Sequence, residues 1–196
     1  MHWRFGPDAG PREAAIQAAH SETARLTRLV ADLLALARAD SGLPVRLDAV
    51  DLERIVVAVL DDARLLAPLR RIVIEALDAT VVTGDADRLK QLVINLVDNA
   101  IRYTPADGRI TVALRHAGAF AEIEVRDTGI GISASDLSRV FERFYRADPA
   151  RTRDAGGTGL GVSIALSIAK QHGGDIALAS EPGRGTVATV QLPVRT

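Results

Sequence analysis

Cysteine is absent from the 196-residue chain. That excludes disulfide frameworks, thiolate zinc sites and a cysteine nucleophile. An excess of either charge is also lacking: 24 Lys and Arg against 25 Asp and Glu leave a formal net charge of −1. This balance argues against a general nucleic-acid surface. Long hydrophobic runs are missing too. The apolar stretches are short and interrupted by charges, so the sequence predicts no bilayer-spanning helix. The opening MHWRFGPDAG has no apolar run after its charges and does not read as a signal peptide. A cytoplasmic protein is therefore expected, with no nucleic-acid partner and no direct membrane insertion. Lysine is confined to Lys90 and Lys170, so arginine carries nearly all the positive charge. Aromatics are only 4% of residues, which makes any cluster of them informative. What is plentiful is apolar content, 47%, enough at this length for one cored domain plus an appendage.

The pattern divides near Leu43-Pro44. Residues 1–10 read as a disordered lead-in. Residues 11–42 read as one long helix, with Pro11 suited to its first turn. Ile16, Ala19, Thr23, Leu26, Val30, Leu33 and Ala37 recur at alternating spacings of three and four, the rhythm of a helix-bundle seam. Such a stripe serves either packing on its own domain or association with another helix. Ser41-Gly42 and Pro44 end it. Residues 43–196 mix helix and strand. Val45–Val50 predicts a short edge strand, and Asp51 can cap a helix to about Ala67. Arg71–Ala76 and Thr80–Thr83 predict strands. Gly84-Asp85 opens a helix over Ala86–Tyr103. Arg109–His116 with Phe120–Asp127, and Asp175–Ser180 with Gly185–Leu192, alternate as two hairpins. Between them lie a loop with a short helix near Ser135–Phe141 and a helix near Leu160–His172. The expected class is α+β: a two-layer sandwich, its mixed sheet covered on one face by three helices, preceded by one long helix.

Four segments carry unusual chemistry. On the helix before Pro105, Asn95, Asp98, Asn99 and Arg102 share one face. Asparagine is a poor mid-helix residue, because its side chain competes for backbone hydrogen bonds. Two of them a turn apart, followed by a cation, fit either a plain solvated face or a site. Carboxamide oxygens suit a hard cation such as Mg²⁺, and arginine suits a phosphate. Asp127-Thr-Gly-Ile-Gly-Ile132 directly follows a strand; it is an ordinary turn, or a carboxylate placed to accept from an amine. Gly156-Gly-Thr-Gly-Leu-Gly161 runs into a helix, as an anion cradle or a hinge. Its spacing matches neither a P-loop nor a dinucleotide fingerprint. Phe141-Glu-Arg-Phe-Tyr-Arg146 concentrates aromatics in the intervening loop, which has the form of a lid or of a small satellite core.

Taken in order, these segments resemble the catalytic ATP-binding domain of bacterial two-component sensor histidine kinases. Asn95–Pro105 matches the N box, Asp127–Ile132 the G1 box, Phe141–Arg146 the F box and Gly157–Gly161 the G2 box. The resemblance spans about Val45 to Pro193. Upstream, Ser21–Arg38 is similar to the second helix of the dimerisation and phosphoacceptor hairpin. It implies the histidine-kinase/gyrase-type ATPase fold, ATP and Mg²⁺ as cofactors, and a lid over about 133–156. Asn95 is implied as the Mg²⁺ ligand, with Asn99 supporting phosphates and metal. Arg102, standing where lysine is usual, is implied to pair with a phosphate. Tyr103 would pack near the adenine, and Asp127 would accept from its amine, with Gly129 and Gly131 leaving room. Arg146 would reach the γ-phosphate. Gly157, Thr158, Gly159, Leu160 and Gly161 would wrap the phosphates. Hydrolytic relatives such as gyrase carry a general-base glutamate where Asn95 stands, so efficient hydrolysis is not expected here.

The resemblance also implies a nucleophile, a histidine in a His-Glu-Leu-Arg-Thr-Pro-like H box. His2, His20, His116 and His172 are the histidines present, and none has that context. The expected partner is therefore an H-box phosphoacceptor protein or domain, with a response regulator downstream and a helix-mediated dimer as the form of association. The chain reads as a fragment of a membrane sensor kinase or as one product of a split kinase, incapable of autophosphorylation alone. Any link to the inner membrane face would come through a partner or sensor region. An anti-sigma-factor-like protein-serine kinase and a non-enzymatic nucleotide-dependent interaction module are the alternative functions.

Overall fold

The computed structural model describes residues 47–146 and 158–195, with scattered residues between positions 15 and 34. Those scattered residues are helical, and Ile16, Leu26, Val30, Leu33 and Leu34 among them are exposed. The lead-in 1–10, the rest of 11–42, lid residues 147–156 and Gly157 lie outside the described residues.

Strand β1 (Asp48–Asp51) leads into helix α1 (Leu52–Leu66). Asp51 caps the helix, its side chain accepting from the Arg54 N–H. Leu52, Ile55, Val56, Val59, Leu60 and Ala63 form its buried stripe. Pro68 follows, where a helix cannot continue. Strands β2 (Arg71–Leu77) and β3 (Val81–Gly84) precede α2 (Ala86–Tyr103). Asp85 caps α2 by accepting from the N–H groups of Asp87 and Arg88. The hairpin β4 (Arg109–Ala117) and β5 (Phe120–Asp127) comes next, then the short α3 (Ala134–Leu137). Helix α4 (Gly161–Gln171) and the hairpin β6 (Asp175–Glu181) and β7 (Gly185–Pro193) complete the order.

The main sheet has the order β2-β4-β5-β7-β6, with β2–β4 parallel and the other pairs antiparallel. The mixed sheet expected from the sequence is present, but β1 and β3 pair only with each other in a small second sheet. An isolated bridge from Val82 to Val194 tethers that sheet to the end of β7. On β5, Ala121, Ile123 and Val125 are buried while Glu122, Glu124 and Arg126 alternate outward. The inward face carries α1, α2 and α4, with α2 packed between the other two. The predicted helix near Ser135–Phe141 stops at Leu137. Beyond it the chain turns, Glu142 N–H donating to Arg139 O at 2.8 Å, and Phe141 packs against the core.

His172 joins the two helices that will flank the site. Its Nδ1 donates to Ile168 O at 2.7 Å and its Nε2 accepts from Asp85 N–H at 3.0 Å. That pattern fixes the neutral ring with its hydrogen on Nδ1. The ring fills the space above Gly84, where a Cβ would lie 2.5 Å from the ring Cδ2. His172→Phe keeps the bulk but leaves the Asp85 N–H without an acceptor. It is expected to lower unfolding stability by about 2 kcal/mol, read from the midpoint shift in urea.

Candidate functional site

Helix α2 buries Leu89, Leu92, Val93, Leu96 and Val97 against the core. The opposite side carries Asn95, Asp98, Asn99 and Arg102, all lining a cavity of about 560 Å³. Asn95 is only 7% exposed. Its Oδ1 accepts from Gln91 Nε2 at 2.9 Å, which fixes the side chain one turn along the helix. Asp127, at the end of β5, reaches the same cavity from the sheet. Its Oδ1 accepts from the Gly129 N–H at 2.7 Å, and its carboxylate also receives the Thr186 N–H. Burial pushes the Asp127 carboxyl above the ordinary aspartate range, against the pull of those two backbone donors. Leu96, Ala100, Val125, Leu178 and Ala188 supply apolar wall around it. The cavity thus has an apolar recess with one acceptor-only group, a form suited to a flat heterocycle bearing an amine.

The glycine segment after Asp127 is clamped on both sides. Ile130 N–H donates to Tyr103 O at 3.2 Å, at the end of α2. Gly183 N–H donates to Ile130 O at 2.8 Å, from the β6–β7 turn. Gly131 has φ +68°, and a Cβ there would lie 2.0 Å from Glu181 O. Only glycine satisfies both the left-handed backbone and that approach.

After the glycine segment, Ser133 caps α3, its Oγ accepting from Asp136 N–H at 3.2 Å. Tyr145 Oη donates to Asp136 Oδ1 at 2.7 Å, and Ser133 Oγ to Asp136 Oδ2 at 2.8 Å. These bonds hold the Asp136 carboxyl below its usual range and push the Tyr145 hydroxyl up. The Arg139 guanidinium lies over the Tyr145 ring, 4.2 Å from its centroid. The aromatic cluster therefore divides: Phe141 docks on the core, Tyr145 lines the cavity, and Phe144 is exposed. Phe144 sits at φ +64° with its N–H on Gly159 O at 3.0 Å. This seats Arg146 in the cavity wall beside Thr158, Gly159 and Gly161.

Four buried polar atoms here have no hydrogen-bond partner: Asn95 Nδ2, Arg102 Nη1, and Arg146 Nε and Nη2. Three belong to the guanidinium groups of Arg102 and Arg146, two residues that line the same cavity. Buried donors of this kind are normally satisfied, so the arrangement fits a polyanion between the two arginines. The carboxamides of Asn95 and Asn99 on the same wall offer oxygens of the kind that suits a hard divalent cation.

Most residues named from the sequence meet here. Asn95, Asn99, Arg102, Tyr103, Asp127, Gly131, Arg146, Thr158, Gly159 and Gly161 all line the cavity. Leu160 does not: its side chain is fully buried in the core, an apolar group drawn away from a polar wall. Gly129 stands behind the wall, where a Cβ would lie 2.4 Å from Tyr103 O. Arg70 was not anticipated. It lines the cavity from the turn before β2, with its Nε donating to Thr104 O at 3.1 Å. Its partner lies 34 residues away in sequence, and no local pattern signals such a contact.

A profile of the family described as histidine kinase-, DNA gyrase B-, and HSP90-like ATPase matches residues 84–196. The chain belongs to this ATPase family. The match begins at Gly84 and takes in α2, both glycine segments and both hairpins. Within the family it is similar to the sensor histidine kinase YkoH of Bacillus subtilis, at 42% identity over 181 residues. That alignment covers 92% of this chain and 39% of YkoH. The probable sensor histidine kinase TcrY of Mycobacterium tuberculosis is 41% identical over 192 residues, 97% of this chain and 40% of TcrY. The chain therefore spans about two fifths of the length of these curated relatives. Among solved structures, the mycobacterial sensor histidine kinase MprB superposes with a TM-score of 0.67 at 30% identity, covering 76% of this chain and 98% of that one. The ATPase domain is of the histidine-kinase type.

Proposed function

We propose that this chain is the ATP-binding catalytic part of a two-component protein-histidine kinase. It transfers the γ-phosphoryl group to a histidine on a separate polypeptide or on another part of a parent chain. The observation that carries this is that Arg102 and Arg146, each with buried guanidinium nitrogens that lack a partner, both line the cavity that holds Asp127. One end accepts an amine-bearing base, and the other awaits phosphate oxygens.

In this reading the adenine enters the apolar recess, its amine donates to Asp127, and Tyr103 packs beside it. Arg102 holds the phosphates from α2, and Arg146 holds the γ-phosphate from the lid. The glycine segment Gly157–Gly161 supplies backbone N–H groups. Mg²⁺, when bound with the nucleotide at Asn95 and Asn99, neutralises phosphate charge and aligns the chain for transfer. The remaining task of the protein is positioning. Asn95 cannot take a proton, so the site does not activate water as a glutamate there would. An incoming imidazole nitrogen forms the new N–P bond as the bond from the γ-phosphorus to the β–γ bridging oxygen breaks. The helix within residues 11–42 is the second helix of the dimerisation and phosphoacceptor hairpin and serves association, and residues 43–196 form the nucleotide-binding domain. No helix among the described residues is long and apolar enough to cross a membrane.

The test is incubation with ATP labelled on the γ-phosphate, with and without a polypeptide carrying an H box. Acid-labile label is expected on the polypeptide only. Acid-labile label on this chain alone, abolished by His20→Ala, would overturn the division of labour. Acid-stable label on a partner serine would replace the histidine-kinase reading.

A further inference from the structure

Asp98 occupies a position that the proposed roles leave unused. It lines the cavity from α2, three residues after Asn95 and directly before Asn99. It is half-buried, and its carboxylate makes no hydrogen bond or ion pair among the described residues. An obvious partner is near: Arg102 follows it by four residues, the favoured order for an acid and a base on a helix. That pair does not form, and Arg102 Nη1 stays buried without a partner. Two opposite charges, neighbours on one helix face, are both left for something else. Arg102 is accounted for by a phosphate. A bare carboxylate beside the same phosphates repels them, unless a cation stands between.

Resting on the nucleotide-site reading above, we propose that Asp98 is a positioning residue for the divalent cation. The Asn95 carboxamide is neutral and contributes no countercharge. Mg²⁺ is commonly held by one or two carboxylates together with substrate phosphates, and it keeps several of its waters. Asp98 supplies the missing negative charge on the protein side, accepting hydrogen bonds from cation-bound water. Its effect on nucleotide binding must then change sign with the cation. Without the cation, the carboxylate opposes the polyphosphate. With it, the carboxylate helps to hold the ion that bridges protein and nucleotide.

Calorimetry on the full chain with a non-hydrolysable ATP analogue reads this directly, in EDTA and in saturating Mg²⁺. Asp98→Asn is expected to tighten binding in EDTA and to weaken it in Mg²⁺ by about tenfold. Mn²⁺ titration followed by electron paramagnetic resonance, with the analogue present, should show a similar loss of cation affinity. Asp98→Glu, which keeps the charge, should restore most of it. A structural role for Asp98 would shift binding in the same direction in both buffers. That result, or unchanged affinities in both, overturns the inference while leaving the nucleotide site standing. Absence of any analogue binding by the unaltered chain overturns the nucleotide-site reading and this inference with it.

Discussion

Asn95→Ala is expected to reduce phosphoryl transfer to an H-box polypeptide by about 10³-fold or more. Nucleotide binding should weaken by no more than about tenfold, the scale of one neutral hydrogen bond. The split follows from where Asn95 sits. It lies in the middle of α2, while the base contacts are assigned to Asp127 on β5, so its loss leaves those contacts in place. Its own environment is restrictive: buried, with Oδ1 held by Gln91, and Nδ2 buried without a partner. A side chain held so tightly acts through geometry, and alanine removes the geometry outright. Transfer is measured as label on the H-box polypeptide, and binding by calorimetry with the same protein. Unchanged transfer would remove Asn95 from the reacting end of the site. Equal losses in binding and transfer would make it a ground-state contact only.

That Asn95 could be singled out from sequence shows which parts of this fold are legible. Polar residues at helical spacing on an otherwise apolar helix have a clear signature, and α2 places all four on one cavity wall. The caps at Asp51 and Asp85 were equally local, each an acceptor one residue before the helix begins. The two antiparallel hairpins followed from alternation and glycine turns. Strand partnership beyond the hairpins was not legible, because it is decided by tertiary packing. Nothing in Arg71–Leu77 announces a parallel neighbour at Arg109–Ala117, nor that β3 turns away to pair with β1. The same limit applies in the site. Leu178, Thr186 and Ala188 alternate as ordinary strand residues, and only the sheet order brings them beside Asp127. Leu160 divides its parts between core and loop. Flanked by Gly159 and Gly161 it reads as part of a backbone cradle, and its side chain, which that reading leaves unplaced, joins the core. Arg70 marks a plain miss: a distant contact without a local trace.

Asp127→Asn is expected to weaken ATP binding by about 100-fold and to narrow the preference for ATP over GTP. The reason lies in the donors already aimed at this carboxyl. Gly129 N–H and Thr186 N–H both point at it, and the adenine amine would be a further donor. Only an acceptor-only group can serve them all. An amide must turn its NH₂ toward one donor, leaving two hydrogens face to face in a buried recess. A guanine base presents a carbonyl where adenine presents its amine, so the carboxylate repels it. Asparagine relaxes that repulsion while losing the charge-assisted bond. The protonation state supplies an independent check. Because burial raises the Asp127 carboxyl in the free protein, protonation on acidification begins at a higher pH than for an exposed aspartate. The amine requires the ionised form, so binding expels the proton and affinity rises with pH, levelling once Asp127 is fully ionised. Acidification should therefore weaken ATP binding to the unaltered chain earlier than to Asp127→Asn, whose amide does not titrate. The comparison between the two proteins cancels the titration of the nucleotide itself. An Asp127→Asn affinity within about twofold of the parent, or parallel pH profiles, would place the base elsewhere in the cavity.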